Sequence, residues 1–138
     1  MVARMQFAFY TGDTRSLEEL LILLGGFEVE ASLAAAKSYQ LAYGHWKLAQ
    51  LYGDPSDERP RPNAKSSAGQ AAKECVQHAR AAISKDSRIA DAYAIEAVCD
   101  HFSAGSNGRG SAGCARSKSM RTALTLDAEH PRVRFINA

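Results

Sequence analysis

The sequence predicts an all-α fold of three stacked antiparallel helical hairpins, and three observations predict it. Hydrophobic residues make up 46% of the chain, and much of that content is alanine, the best helix former and small enough to let helices approach closely. β-Branched residues are sparse. No segment sustains the two-residue alternation of a half-buried strand, whereas several carry apolar residues at three- and four-residue spacing. At 138 residues the chain has the length of one domain with a real core, and a single domain over residues 1–138 is expected.

The first helical segment, from about Ala3 to Tyr10, stops at Thr11-Gly12-Asp13. A second starts near Thr14, where Ser16 and Glu19 have the spacing of a capping box. It sets Leu17, Leu20, Leu21 and Leu24 on one face before Gly25-Gly26 ends it. The third and longest segment, about Val29 to Tyr52, carries Leu33, Ala34, Ala36, Leu41, Trp46, Leu48, Ala49 and Tyr52 on more than one side. A helix of that kind sits between neighbours. Residues 53–67 hold three prolines, several charges and no hydrophobic period, the signature of a loop. A fourth helix over about Ala68–Lys85, a turn at Asp86-Ser87 and a fifth helix over about Ile89–Phe102 follow. The glycine- and serine-rich residues 103–113 read as a second loop. The last helix, about Ala115–Leu126, ends before Pro131 and leaves Val133, Phe135 and Ile136 as an apolar tail. Pairing these segments in order gives hairpins over about 3–25, 29–85 and 89–126.

Two helix ends repeat a pattern. Ala82-Ile83-Ser84-Lys85-Asp86-Ser87 aligns with Ala123-Leu124-Thr125-Leu126-Asp127-Ala128, and the first runs on into Arg88-Ile89-Ala90-Asp91-Ala92-Tyr93. Here the chain resembles the tetratricopeptide repeat. The junction Ala82–Tyr93 is similar to that family's turn from second helix to next first helix, with Ser87 where proline is usual. Ala123 to Pro131 is similar again, with the proline displaced. Tyr43, Trp46, Leu48, Ala49 and Tyr52 look like a first-helix face. The two junctions stand 41 residues apart, against a family period of about 34, and the excess falls in the 103–113 stretch. Insertions at hairpin tips leave stacking intact. The resemblance spans roughly residues 39–131 and implies a TPR-like right-handed α-α superhelix. Its type is divergent, close to bacterial repeat proteins of unassigned role.

The cysteines offer a geometric test. Cys75 and Cys99 each lie twelve residues from Ser87, so an antiparallel pair turning there brings them to one height, with Ala79 opposite Ile95 and Ala82 opposite Ala92. They are either a disulfide, which marks an oxidising compartment, or two buried free thiols acting as small hydrophobes. Cys114 is the odd thiol. No close Cys-x-x-Cys pair suggests zinc. His45, His78, His101 and His130 form no metal or protease motif, so boundary or surface positions are expected. Gly105 to Gly110 is glycine-rich, yet it lacks the preceding strand and the Lys-[Ser/Thr] ending of a phosphate cradle. No nucleophile, acid and base are matched. An enzyme is therefore not expected, nor a metal or other cofactor.

Stacked hairpins of the resembled kind present a concave face to a peptide or partner protein. The resemblance implies contacts from Tyr43, Trp46, Gln50, Ala94, Val98 and His101, although the aromatic set of Tyr39, Tyr43 and Trp46 is equally read as core. The net charge is only +2, but after Ser103 six basic residues (Arg109, Arg116, Lys118, Arg121, Arg132 and Arg134) face two acidic ones. Arg116 and Arg121 are added to the binding set on that basis. The basic quarter supports a second reading, contact with an acidic partner or nucleic acid. Self-association is a further expectation. The longest purely apolar run, Leu20–Leu24, is far short of the ~20 residues that span a bilayer. A soluble chain is expected, cytoplasmic, or periplasmic if the Cys75–Cys99 pair is oxidised and a leader has been removed.

Overall fold

The computed structural model describes residues 1–54, 64–103 and 117–138. Among them every α- or 3-10 element is a helix and no strand occurs: α1 (Val2–Tyr10), α2 (Thr14–Gly26), a 3-10 turn (Ala31–Leu33), α3 (Ala34–Tyr52), α4 (Ala64–Lys85), α5 (Ala90–Ser103), α6 (Lys118–Asp127) and α7 (Pro131–Asn137). Successive α-helices from α1 to α7 pack against one another, and α3 and α7 each also touch α5.

Local chemistry fixes the joints. Gly12 at φ 68° supplies the left-handed residue that closes α1, a conformation glycine takes without steric cost. Asp13 then caps α2, its carboxylate accepting from the Ser16 N–H at 3.0 Å. The expected capping box of Ser16 and Glu19 is therefore replaced by a cap three residues earlier, and Glu19 pairs with Arg15 instead. At the α4–α5 turn the Asp86 side chain accepts from the Arg88 N–H, and the Tyr93 hydroxyl donates to the Ser87 carbonyl. These two bonds pin the turn between α4 and α5.

Three boundaries differ from expectation. The start of α3 is delayed to Ala34, α4 starts at Ala64 inside the expected 53–67 loop, and the apolar tail is a helix. Pro131 begins α7 rather than merely stopping α6, because proline at a first helical position loses no hydrogen bond. His130 caps it by accepting from the Arg132 N–H. Val133 and Ile136 enter the core while Phe135 stays 70% exposed.

Two apolar clusters divide the interior. Tyr39, Ala42, Tyr43 and Trp46 of α3 meet Cys75, Ala79, Ala82, Ala92, Ile95, Val98 and Met120 in the larger. Leu41, Leu48 and Ala49 of the same helix meet Met5, Leu17, Leu21, Ala71 and Ala72 in the smaller. Helix α3 thus lies between two packed layers, as its several apolar sides require. Gly44 sets the distance on the α2 side: a Cβ there would stand 2.4 Å from Leu21 Cδ2, so only glycine lets Leu21 seat where it does.

Candidate functional site

The residues expected to line a groove are mostly interior. Tyr43, Trp46, Ala94 and Val98 are buried, which corrects their placement on an open concave face. Ala94 and Val98 lie within the larger apolar cluster, and Tyr43 and Trp46 are covered by cations. The Lys47 ammonium lies 4.0 Å from the Trp46 ring centroid and 4.5 Å from that of Phe9, and the Arg132 guanidinium lies 4.6 Å from that of Tyr43. These cation–π contacts close the surface. Burial brings the Lys47 pKa down to about 8. Gln50 is half-buried and accepts a hydrogen bond from Lys47. His101 is half-buried in the last turn of α5.

The basic quarter is also partly committed. Arg132 pairs with Asp91 at 3.2 Å and Arg134 with Glu129 at 3.3 Å. Lys118 and Arg121 are exposed on α6. Arg109, Arg116 and Cys114 lie outside the described residues. The Cys75 and Cys99 sulfurs are joined in a disulfide, with Cα atoms 6.1 Å apart. Ala79, Ala82, Ala92 and Ile95 around it are fully buried. Small side chains at those positions allow the helices to come within bridging distance.

One hollow, between α1 and α2, has about 530 Å³ and is lined by Phe7, Leu20 and Leu23 among others; another lies on the other side of α3. The latter is a cleft of about 500 Å³ walled by α2, α3 and α4. Each helix contributes one stripe at helical spacing: Glu18, Leu21, Ile22 and Gly25 from α2; Leu41, His45, Leu48 and Tyr52 from α3; Ser67, Gln70, Ala71, Glu74 and His78 from α4. Contacts order these stripes along its length. At one end the Tyr52 hydroxyl hydrogen-bonds the Glu18 carboxylate. Midway, His45 Nδ1 lies 3.2 Å from Glu74 Oε2, a close polar contact without the alignment of a hydrogen bond. The His45 and His78 rings stack 5.2 Å apart at 12°.

Burial decides the charge of these imidazoles. Desolvation pulls His45 down to about 4, against the opposing pull of Glu74, and lowers His78 as well. Both are neutral at pH 7, so the cleft presents two carboxylates, two uncharged imidazoles and an apolar floor. Parallel stacked rings do not converge on one ion, and among the described residues no group of three ligating side chains does.

Sequence reasoning passed over this site. His45 and His78 carry no motif, and they meet only because α3 and α4 pack together. The available signal was the stripe Leu41, His45, Leu48 and Tyr52, one face at spacings of four, three and four. Among the described residues no helix is long and apolar enough to cross a membrane. No protein-family model, curated protein or solved structure matches the chain.

Proposed function

We propose that the chain is a divergent TPR-like helical repeat protein that holds a partner protein or peptide, with the cleft between α2, α3 and α4 as its contact surface, and that it does not act as an enzyme. The observation that carries this reading is Ile22, 77% exposed on the wall of a hollow that also contains Leu21, Leu41 and Leu48. A large aliphatic side chain left in water beside an apolar recess is the arrangement a partner covers. Phe27, Val29 and Leu33, exposed just beyond α2, add apolar surface on the stretch leading to α3. The recess has the volume of a site that takes one or two anchoring side chains.

A photoreactive benzophenone side chain placed at position 22 tests this in native extract. The same crosslinked species should form from position 22 and fail to form from position 88, on the α4–α5 turn. Equal yields from the two positions would refute the cleft as the contact surface. Contact through the basic quarter predicts instead crosslinks from position 121 that fade steeply with added salt.

A further inference from the structure

We infer that the cleft selects a group with an apolar stem and a cationic head, an alkylammonium, supplied by a lysine side chain of the bound partner. The inference rests on the cleft being a contact surface and adds the chemistry of what enters it. The stem has a floor in Leu21, Leu41, Leu48 and Ala71, and the head has two carboxylates, Glu18 and Glu74, on the same walls. Among the described residues no lysine or arginine lines the hollow. Two lysines act electrostatically on His78; Lys37 bonds the Gly25 and Phe27 carbonyls and Lys85 the Ser38 hydroxyl and the Ala81 carbonyl, neutral partners that leave both charges in place, so the ammonium head belongs at the Glu18 end of the cleft and not beside His78.

The imidazoles beside Glu74 favour the same sign. Neutral imidazoles offer an acceptor nitrogen to an ammonium and add no positive charge to repel it. His45 Nδ1 is buried 3.2 Å from Glu74 Oε2 without a well-aligned hydrogen bond, and facing a carboxylate it is the N–H nitrogen of the neutral ring, so the acceptor of that ring is Nε2. Glu74 keeps 41% of its side-chain surface accessible and adds a second negative charge to the same cleft. A carboxylate-headed ligand of the same length would meet Glu18 and Glu74 as like charges in a partly dehydrated space. Charge-assisted hydrogen bonds separate the two cases strongly.

The test uses the full chain and three probes of equal chain length: n-octylamine, n-octanol and n-octanoate, followed by amide chemical shifts. Octylamine should bind at least ~10-fold more tightly than octanoate, with octanol between and the largest shifts at His45, Leu48 and Ala71. Glu18→Gln should remove most of the octylamine advantage and leave octanol unchanged. Glu74→Gln gives a smaller loss of the same sign, which serves if the first variant folds poorly. Octanoate binding as tightly as octylamine, or shifts centred elsewhere, would overturn the inference. A second pair, acetyl-Leu-Lys-Leu-amide against acetyl-Leu-Glu-Leu-amide, addresses the source: an octylamine preference without a preference for the lysine peptide overturns the assignment to a protein side chain. Octylamine binding here with no position-dependent crosslink from position 22 would retain the site chemistry and defeat the partner-holding reading, so the two fail separately.

Discussion

Helix α3 has two working faces that differ in what was done with similar raw material. One carries Tyr39, Tyr43 and Trp46, all buried and roofed by Lys47 and Arg132. The other carries Leu41, His45, Leu48 and Tyr52 and borders an open cleft. Aromatic residues on a helix suggest anchors for a partner, yet here the large rings fill space and the mixed stripe leaves it empty. Size explains the difference. Opposite Tyr43 and Trp46 the hairpin α4–α5 offers alanines and a disulfide, which the rings press against. Opposite His45 and Leu48 stand α2 and α4, and the gap between those two helices is not filled.

The largest effect that would sharpen the comparison is expected at Trp46. Trp46→Ala deletes a side chain that is 2% exposed in the main cluster and should lower unfolding free energy by about 3–5 kcal/mol. Urea denaturation measures it. A loss below about 1 kcal/mol would mean that this face is as loosely filled as the cleft.

How far the sequence disclosed each face follows from loop length. The α4–α5 hairpin was legible because only Asp86–Ile89 separate its helices, so equal distances from Ser87 become equal heights, and Cys75 meets Cys99. Helical class and most segment bounds were legible for the same local reasons of propensity and punctuation. Between α3 and α4 the sequence places residues 53–63, too many for counting to set a register, so nothing in the spacing said that His45 would meet Glu74 and His78. The burial of Tyr43 and Trp46 was one of two readings the sequence offered, and what it did not disclose is the cover that Lys47 of α3 and Arg132 of α7 lay over those rings. Pro131 misled because the same residue that stops one helix opens another.

Acid should act on the cleft face next. His45 titrates near 4 when folded and near 6.5 when unfolded, so the unfolded chain binds the extra proton between those values. Stability present above pH 6.5 is then lost as pH falls toward 4. His78, also lowered, contributes with the same sign. Asp91 opposes them, since burial raises its pKa and the folded state holds that proton more readily. Denaturation midpoints between pH 7 and 4 should therefore fall less steeply for His45→Gln than for the parent chain. Parallel slopes would show that His45 is as accessible to water folded as unfolded.

The smallest effect on stability should come from Ile22, and its smallness is the point. With 77% of its surface in water, the side chain loses little apolar burial when replaced, and Ile22→Ser should change unfolding free energy by no more than about 0.5 kcal/mol. Binding should respond differently, because burial of that side chain would occur only when a partner covers it. Fully covering an isoleucine is worth about 1.5–3 kcal/mol, which corresponds to roughly a tenfold or greater loss of affinity. Parallel measurements of melting and of partner capture on one variant therefore separate a residue kept for folding from a residue kept for contact. A melting temperature that drops while capture is unaffected would move Ile22 into the same category as Trp46, and the two faces of α3 would no longer differ in kind.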